Sequence, residues 1–327
     1  MSFLDVKFSR DEVIETRVPV AEFADGSPVS LPVVLIEGAH DGPTLFLQAG
    51  IHGDELTGIA VCQQVLAGID PAQLSGRVAA VPVVNLPAFL TRTRGWVNEE
   101  RWLIDLNRSW PGTASGLMTH RIANVLFEEF IKEADFTIDL HSALDGCNIA
   151  PFVYVQPNSD ANGTLAVRER HANAFGAPYV YYSGAAAQLG TSNMSQSLSF
   201  QADAAGIATM TAEMGESRRV TWEFVPIGVR GVKNVMKAMG MLEGEPEFGE
   251  APRAFTGFDI VHVSRGGLLR IDVDLRDEVT AGQRLGAVVD VFGHTVEVLE
   301  SPSDGFVLRT MRLGSVATGG EIFWIGH

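Results

Sequence analysis

Between residues 44 and 242, short apolar runs of strand length alternate with longer stretches whose apolar residues recur at helical spacing. The strand candidates are 44–49, 77–84, 136–140, 150–155, 179–182 and 207–213, and the helix candidates are 56–68, 116–133, 160–175, 194–204 and 224–242. Parallel strands need crossover connections, and helices in those connections pack back onto the sheet. The alternation therefore predicts an α/β domain with a mostly parallel sheet covered on both faces. In such sheets ligands gather beyond the carboxyl ends of the strands, so the residues that follow each apolar run carry the functional information.

Two flanking regions read differently. Residues 1–36 contain alternating stretches, Val13 to Val18 and Val33 to Ile36, broken by Asp25-Gly26-Ser27-Pro28, and are expected to form strands joined by a turn. Near residue 243 the composition becomes acidic and Pro/Gly-punctuated, as a linker would be. From there to His327, short β-like runs at 259–263, 267–273, 285–291, 294–299, 305–309 and 321–325 predict a small all-β domain. The boundaries are thus a main domain over 1–245 and a C-terminal β domain over 250–327.

A net charge of −16 with four lysines argues against nucleic acid and anionic membrane as partners. No apolar run reaches membrane-spanning length, and Met1-Ser2-Phe3-Leu4-Asp5-Val6-Lys7 lacks the pattern of a signal peptide, so a cytoplasmic location is expected. Cys62 and Cys147 are too few for a disulfide framework and read as free or buried thiols.

Four pieces of the chain carry chemistry. Gly50-Ile51-His52-Gly53-Asp54-Glu55 lies between a strand and a helix, where His52 and Glu55 can converge on one point and where imidazole nitrogen and carboxylate oxygen suit Zn²⁺. Alone, the pair also fits a solvated helix start. The run Phe136-Thr137-Ile138-Asp139-Leu140-His141-Ser142 ends a strand in a histidine that can add a third ligand. Two ligands close in sequence and a distant third, with a fourth position open, is the pattern of a catalytic zinc. Between them, Arg92, Arg94, Arg101 and Arg108 crowd one stretch of an otherwise acidic chain and form a candidate anion site, because guanidinium forks bind carboxylates in two-pronged fashion. The fourth piece is the run from Ile207 to Glu216, where Glu213 at a strand end is a candidate general base and Glu216 competes with it from the turn beyond.

His52-x-x-Glu55, Asn85-x-Pro87, Arg94, Asp105-Leu106-Asn107-Arg108, Asp139-Leu140-His141 and Glu213-Met214-Gly215, in that order, resemble the succinylglutamate desuccinylase/aspartoacylase family of zinc deacylases, relatives of the carboxypeptidase A type metallopeptidases. The resemblance spans roughly residues 30 to 240. It implies a three-layer α/β/α domain with a mixed sheet and one Zn²⁺ per chain on His52, Glu55 and His141. It further implies Glu213 as base and acid, Arg94 on the scissile carbonyl oxygen, and Asn107 with Arg108 on the substrate carboxylate. Asp105 matches an aspartate that orients a zinc histidine. Arg92 competes with Arg94 for the substrate, and no tyrosine follows Tyr182, although relatives often bring a later one to the substrate.

The C-terminal runs, with Val279 to Gly286 and Ser301 to Val307, resemble biotinyl/lipoyl half-barrels. A carrier needs a lysine at its hairpin tip, yet residues 238–327 contain none and the tip reads Phe292-Gly293-His294-Thr295. This domain is expected to be a wall of the active-site entrance or a contact in a homo-oligomer. The leading functional reading is a zinc amidohydrolase that cleaves the N-acyl group from a small acylated amino acid or related amine. The competing readings are a zinc carboxypeptidase and a non-catalytic carrier or binding protein.

Overall fold

The structure, a computed structural model, describes residues 9–97, 103–144, 146–155, 163–183 and 194–327. Among these residues, thirteen strands join one sheet. Its main path runs Glu12–Glu22, Pro28–Glu37, Ser75–Val81, His40–Ala49, Phe136–His141, Thr209–Glu216, Cys147–Val155, Gly305–Met311, Glu321–Gly326 and Phe258–His262. The centre, from Ser75–Val81 to Thr209–Glu216, is parallel, and the strands outside it on this path pair antiparallel.

Strand side chains alternate between faces, and this sorts the core into layers. Leu45, Leu47, Val78 and Ala80 pack with residues of the helices Leu56–Ala67, Leu165–Phe175 and Val225–Ala238. Phe46, Ala79 and Val81 pack on the other face with residues of Met118–Leu126 and Leu198–Ala204. The result is the three-layer α/β/α arrangement with a mixed sheet. Fully burying a leucine or phenylalanine side chain contributes about 1.5–3 kcal/mol, and Leu45, Phe46 and Leu47 all lie buried in consecutive positions. Because helices cover both faces, consecutive residues of this strand are buried alike, which is why it reads as a continuous apolar run. Among the described residues, no helix is long and apolar enough to cross a membrane.

Several boundaries differ from the sequence reading for identifiable reasons. The helix predicted over 116–133 is α-helical at Met118–Leu126 and widens into a π turn at Phe127–Ile131, which keeps Phe127, Phe130 and Ile131 all buried. The 194–204 segment opens as a 3₁₀ turn, Met194–Gln196, before the helix Leu198–Ala204. The 160–175 helix is described from Leu165 onward, and residues 160–162 lie outside the described residues. The strand predicted to end at Glu213 continues to Glu216, because Gly215 and Glu216 pair with Ile149 and Asn148.

The acidic segment after residue 243 is tied down rather than loose. The Asn234 side chain donates to the Glu247 carbonyl at 2.7 Å and accepts from the Glu247 amide at 2.8 Å. Beyond it, Gly305–Met311 pairs with Cys147–Val155, so hydrogen bonding of the main sheet crosses into the C-terminal region. A second sheet of four strands, Thr295–Glu300, Arg284–Val289, Gly267–Ile271 and Ser315–Val316, packs its Leu285, Val288 and Leu299 with Val307, Phe323 and Ile325 of the main sheet.

Candidate active site

The strand His40–Ala49 ends in a turn whose shape is set by two glycines. Gly50 has φ +69°, which side-chain-bearing residues rarely adopt. At Gly53 a Cβ atom would lie 2.0 Å from the Ala88 carbonyl carbon, so only glycine permits this approach to the neighbouring helix. Asn85 secures the turn by donating from Nδ2 to the Ile51 carbonyl at 3.1 Å.

Glu55 caps the helix Leu56–Ala67 by position, but its carboxylate makes no capping bond. Instead, Oε1 lies 2.6 Å from His52 Nδ1, and Oε2 lies 2.8 Å from His141 Nδ1 while accepting from the Ser142 amide at 2.9 Å. His52, Glu55 and His141 are all buried, and one donor atom from each lies within 4.8 Å of the others. The second nitrogen of each imidazole is held by a carboxylate: His52 Nε2 by Asp105 at 3.2 Å and His141 Nε2 by Asp139 at 2.9 Å. Such outer partners fix ring orientation and leave the other nitrogen free to coordinate. Two nitrogen donors and a carboxylate facing one point fit a metal ion, and this set can hold one.

The electrostatics favour a cation there. Burial opposes the charge on Glu55, yet the two imidazoles hold its carboxyl well below the usual range. Burial likewise opposes the charge on Asp105, but its hydrogen bond to His52 and the guanidinium groups of Arg94 and Arg108 keep it ionised far into acid. Burial works against an imidazolium at His141, and Asp139 and Glu55 outweigh it, drawing positive charge to the ring.

Arg94 reaches this cluster and Arg92 does not. Arg94 Nη1 lies 3.3 Å from His52 Nδ1 and 3.5 Å from Glu55 Oε1, and Nε donates to Asp105 at 3.1 Å. Arg92 is an exposed helix cap with φ +57° and does not line the pocket, since its left-handed backbone turns the chain there. Arg101 lies outside the described residues. Asn107 and Arg108 both line the pocket. Asn107 Oδ1 accepts from the Leu198 amide at 3.0 Å, and Arg108 donates to the Asn107 carbonyl at 2.7 Å.

Glu213 lies beside His141 in the parallel register of neighbouring strands and lines the same pocket. The pairing with Cys147–Val155 shifts between Glu213 and Gly215, where Ala150 and Pro151 together oppose the single residue Met214, so the neighbouring strand is bulged beside Glu213, a device found next to active sites. Burial pushes the Glu213 carboxyl up to about 7. Glu216 is engaged elsewhere, with Arg219 and Arg312 each at 3.3 Å.

The cavity has a volume of about 310 Å³. Its lining also includes Phe152, Tyr154 and Tyr181 from the central sheet and Phe258, Arg309, Glu321 and Trp324 from the C-terminal strands. Sequence reasoning assigned none of these to the site. It also gave Asp139 no role, although residues two apart on a strand share a face and Asp139 was therefore legible as the partner of His141.

A model of the succinylglutamate desuccinylase/aspartoacylase catalytic domain matches residues 41–239. The N-alpha-acetyl-L-2,4-diaminobutyric acid deacetylase of Halomonas elongata is 31% identical over 303 residues, covering 90% of this chain and 84% of that protein. The crystal structure of a succinylglutamate desuccinylase/aspartoacylase from Rhodobacter sphaeroides superposes with a TM-score of 0.85 at 27% identity, over 100% of this chain and 98% of that one. The product-bound ectoine utilization protein EutE (DoeB) from Ruegeria pomeroyi gives a TM-score of 0.86 at 25% identity, over 98% and 97%. With the catalytic-domain match extending over more than half of its length, the chain belongs to the succinylglutamate desuccinylase/aspartoacylase family of amide-hydrolysing enzymes.

Proposed function

We propose that the protein is a zinc-dependent deacylase that removes the N-acyl group from a small acylated amino acid or related amine. The observation that carries this reading is the convergence of His52, Glu55 and His141 beside Glu213 in one pocket. Zinc is the metal of choice because the donors are two imidazole nitrogens and one carboxylate. When bound, the ion supplies Lewis acidity at the scissile amide. Glu213 takes a proton from the attacking water at a carboxylate oxygen and returns it to the departing nitrogen. A carboxyl pushed to about 7 can do both near neutral pH. Arg94 donates from Nη1 to the oxygen on which negative charge develops. Arg108, with Asn107, holds the substrate carboxylate, and a cavity of about 310 Å³ suits a ligand of this size. Cytoplasmic residence accompanies the reading, in keeping with two buried cysteines that form no disulfide.

The test is metal analysis of the purified protein together with amine release from N-acetyl, N-formyl and N-succinyl amino acids and from dipeptides. The substrate named for the Halomonas elongata relative is an obvious member of the panel. About one zinc per chain is expected, with faster release from N-acyl amino acids than from peptides. Preferential peptide cleavage would make the enzyme a carboxypeptidase, and no amine release from metal-loaded protein would end the deacylase assignment.

Arg108→Ala is expected to raise KM by roughly 10–100-fold with a smaller effect on kcat, because it removes a charge-assisted hydrogen bond made in both ground and transition states. Steady-state kinetics on an N-acyl amino acid checks this. An unchanged KM would mean that the carboxylate is held elsewhere.

A further inference from the structure

The pocket extends along the sheet away from the histidines. From the His141 strand it passes Glu213, then Phe152 and Ile149, then Arg309, then Trp324. Arg309 pairs directly with Ile149 and Glu213 with Phe152 on the same intervening strand, so the two positions lie roughly 10 Å apart across the strands and are further offset by three residues along them. A small substrate and the two side chains together can fill that gap.

Arg309 is an unusual residue for a strand interior. It is 2% exposed and sits in the otherwise apolar run Phe306-Val307-Leu308. A register shift between Val307 and Arg309 makes Leu308 a bulge, so both Leu308 and Arg309 line the pocket. The guanidinium is held on two sides. Nη2 donates to Glu321 at 2.9 Å, and the carbon lies 4.1 Å from the centre of the Trp324 ring. That ring is itself stacked on Phe258 at 4.5 Å, and Trp324 Nε1 donates to the same Glu321 oxygen at 3.2 Å.

Among the described residues, Arg309 Nε and Nη1 have no hydrogen-bond partner. Buried donors are almost always satisfied, and leaving them bare is costly, so a locked guanidinium with unmet donors at a ligand cavity calls for an acceptor from the ligand. Glu321 already balances the charge of Arg309, so the requirement is for an oxygen, charged or neutral. We propose that Arg309 is a specificity residue whose free donors bind a second oxygen acceptor of the substrate, a carboxylate or an amide carbonyl additional to the carboxylate held at Arg108.

This rests on the deacylase reading, so the test has a catalytic and a binding arm. Full-length, metal-loaded wild type, Arg309→Met and Arg309→Lys are compared on N-acetylalanine, which lacks a second acceptor, and on N-acetylasparagine, N-acetylaspartate and N-succinylalanine, which carry one. The expected result is that wild type favours at least one acceptor-bearing compound. Arg309→Met should reduce that preference, as a ratio of kcat/KM values, by about 10–100-fold, mostly through KM, and Arg309→Lys should fall between. A neutral-side-chain preference or a carboxylate preference separates the two acceptor sources. In the binding arm, calorimetric titration of the same compounds into Glu213→Gln protein, with and without Arg309→Met, should show the same loss. If wild type cleaves none of these amides while acceptor-bearing compounds still bind through Arg309, the deacylase reading fails and this one stands. An unchanged preference ratio in both folded variants, whatever happens to overall activity, would overturn it and reduce Arg309 to a support for Trp324.

Discussion

Glu213→Gln lowers kcat by at least about 10²-fold while the bound metal stays at its wild-type level; this is the expected result if Glu213 is the proton carrier. The substitution keeps the shape of the side chain and removes only its ability to take a proton from water. Glu213 is separate from the three metal donors, so the metal should remain. The informative control is Glu216→Gln, on the same strand. Glu216 faces Arg219, Arg312 and Asn148, an ion-pair environment outside the pocket lining, and its replacement should change kcat by less than about 10-fold. Single-turnover kinetics with metal analysis on both variants makes the comparison. An inactive Glu216→Gln beside a near-wild-type Glu213→Gln would reverse the assignment.

Loss of a metal donor should be more severe. His141→Ala is expected to retain less than about a tenth of the wild-type metal after dialysis and to fall to background activity, since the open three-donor site becomes a two-donor one. The change also leaves Asp139 and Glu55 buried without a shared imidazole partner. Asp139→Asn separates the two effects. It keeps the donor and weakens only its orientation, so metal affinity should drop by roughly 10–100-fold rather than vanish. Stoichiometric zinc in dialysed His141→Ala protein would remove His141 from the site.

The cluster that can hold a metal was legible because each of its members follows an apolar run, and sheets of this class collect ligands at strand ends. Side-chain chemistry and that rule made His52, Glu55 and His141 candidates, and the ordered motifs that resemble the succinylglutamate desuccinylase/aspartoacylase family joined them into one set. The strand carrying Glu213 was read three residues short, because apolar pattern marks where a strand is buried and not where its hydrogen bonding stops. The bulge at Ala150-Pro151 on the partner strand, opposite Met214, left no trace in the pattern. Arg92 and Arg94 could not be ranked from spacing, since the choice turns on a left-handed backbone at Arg92. Arg309 was least accessible: its partners Ile149 and Trp324 come from other strands, one of them far earlier in the chain. An arginine within an apolar strand was nonetheless a signal that went unused.

The pairing of Cys147–Val155 with Gly305–Met311 sets the order in which the molecule can be finished. During synthesis the parallel centre is complete once residue 216 has emerged, but part of the strand Cys147–Val155 then still presents unpaired N–H and C=O groups on the side where Gly305–Met311 will bind. An edge of that kind invites pairing with another chain. A protein ending at the acidic segment near residue 243 would keep its three metal donors and Glu213 yet carry an open edge and a cavity without its Arg309 wall. The last strands therefore act as a closing seam, and nascent or truncated chains should be far more prone to self-association than the finished one.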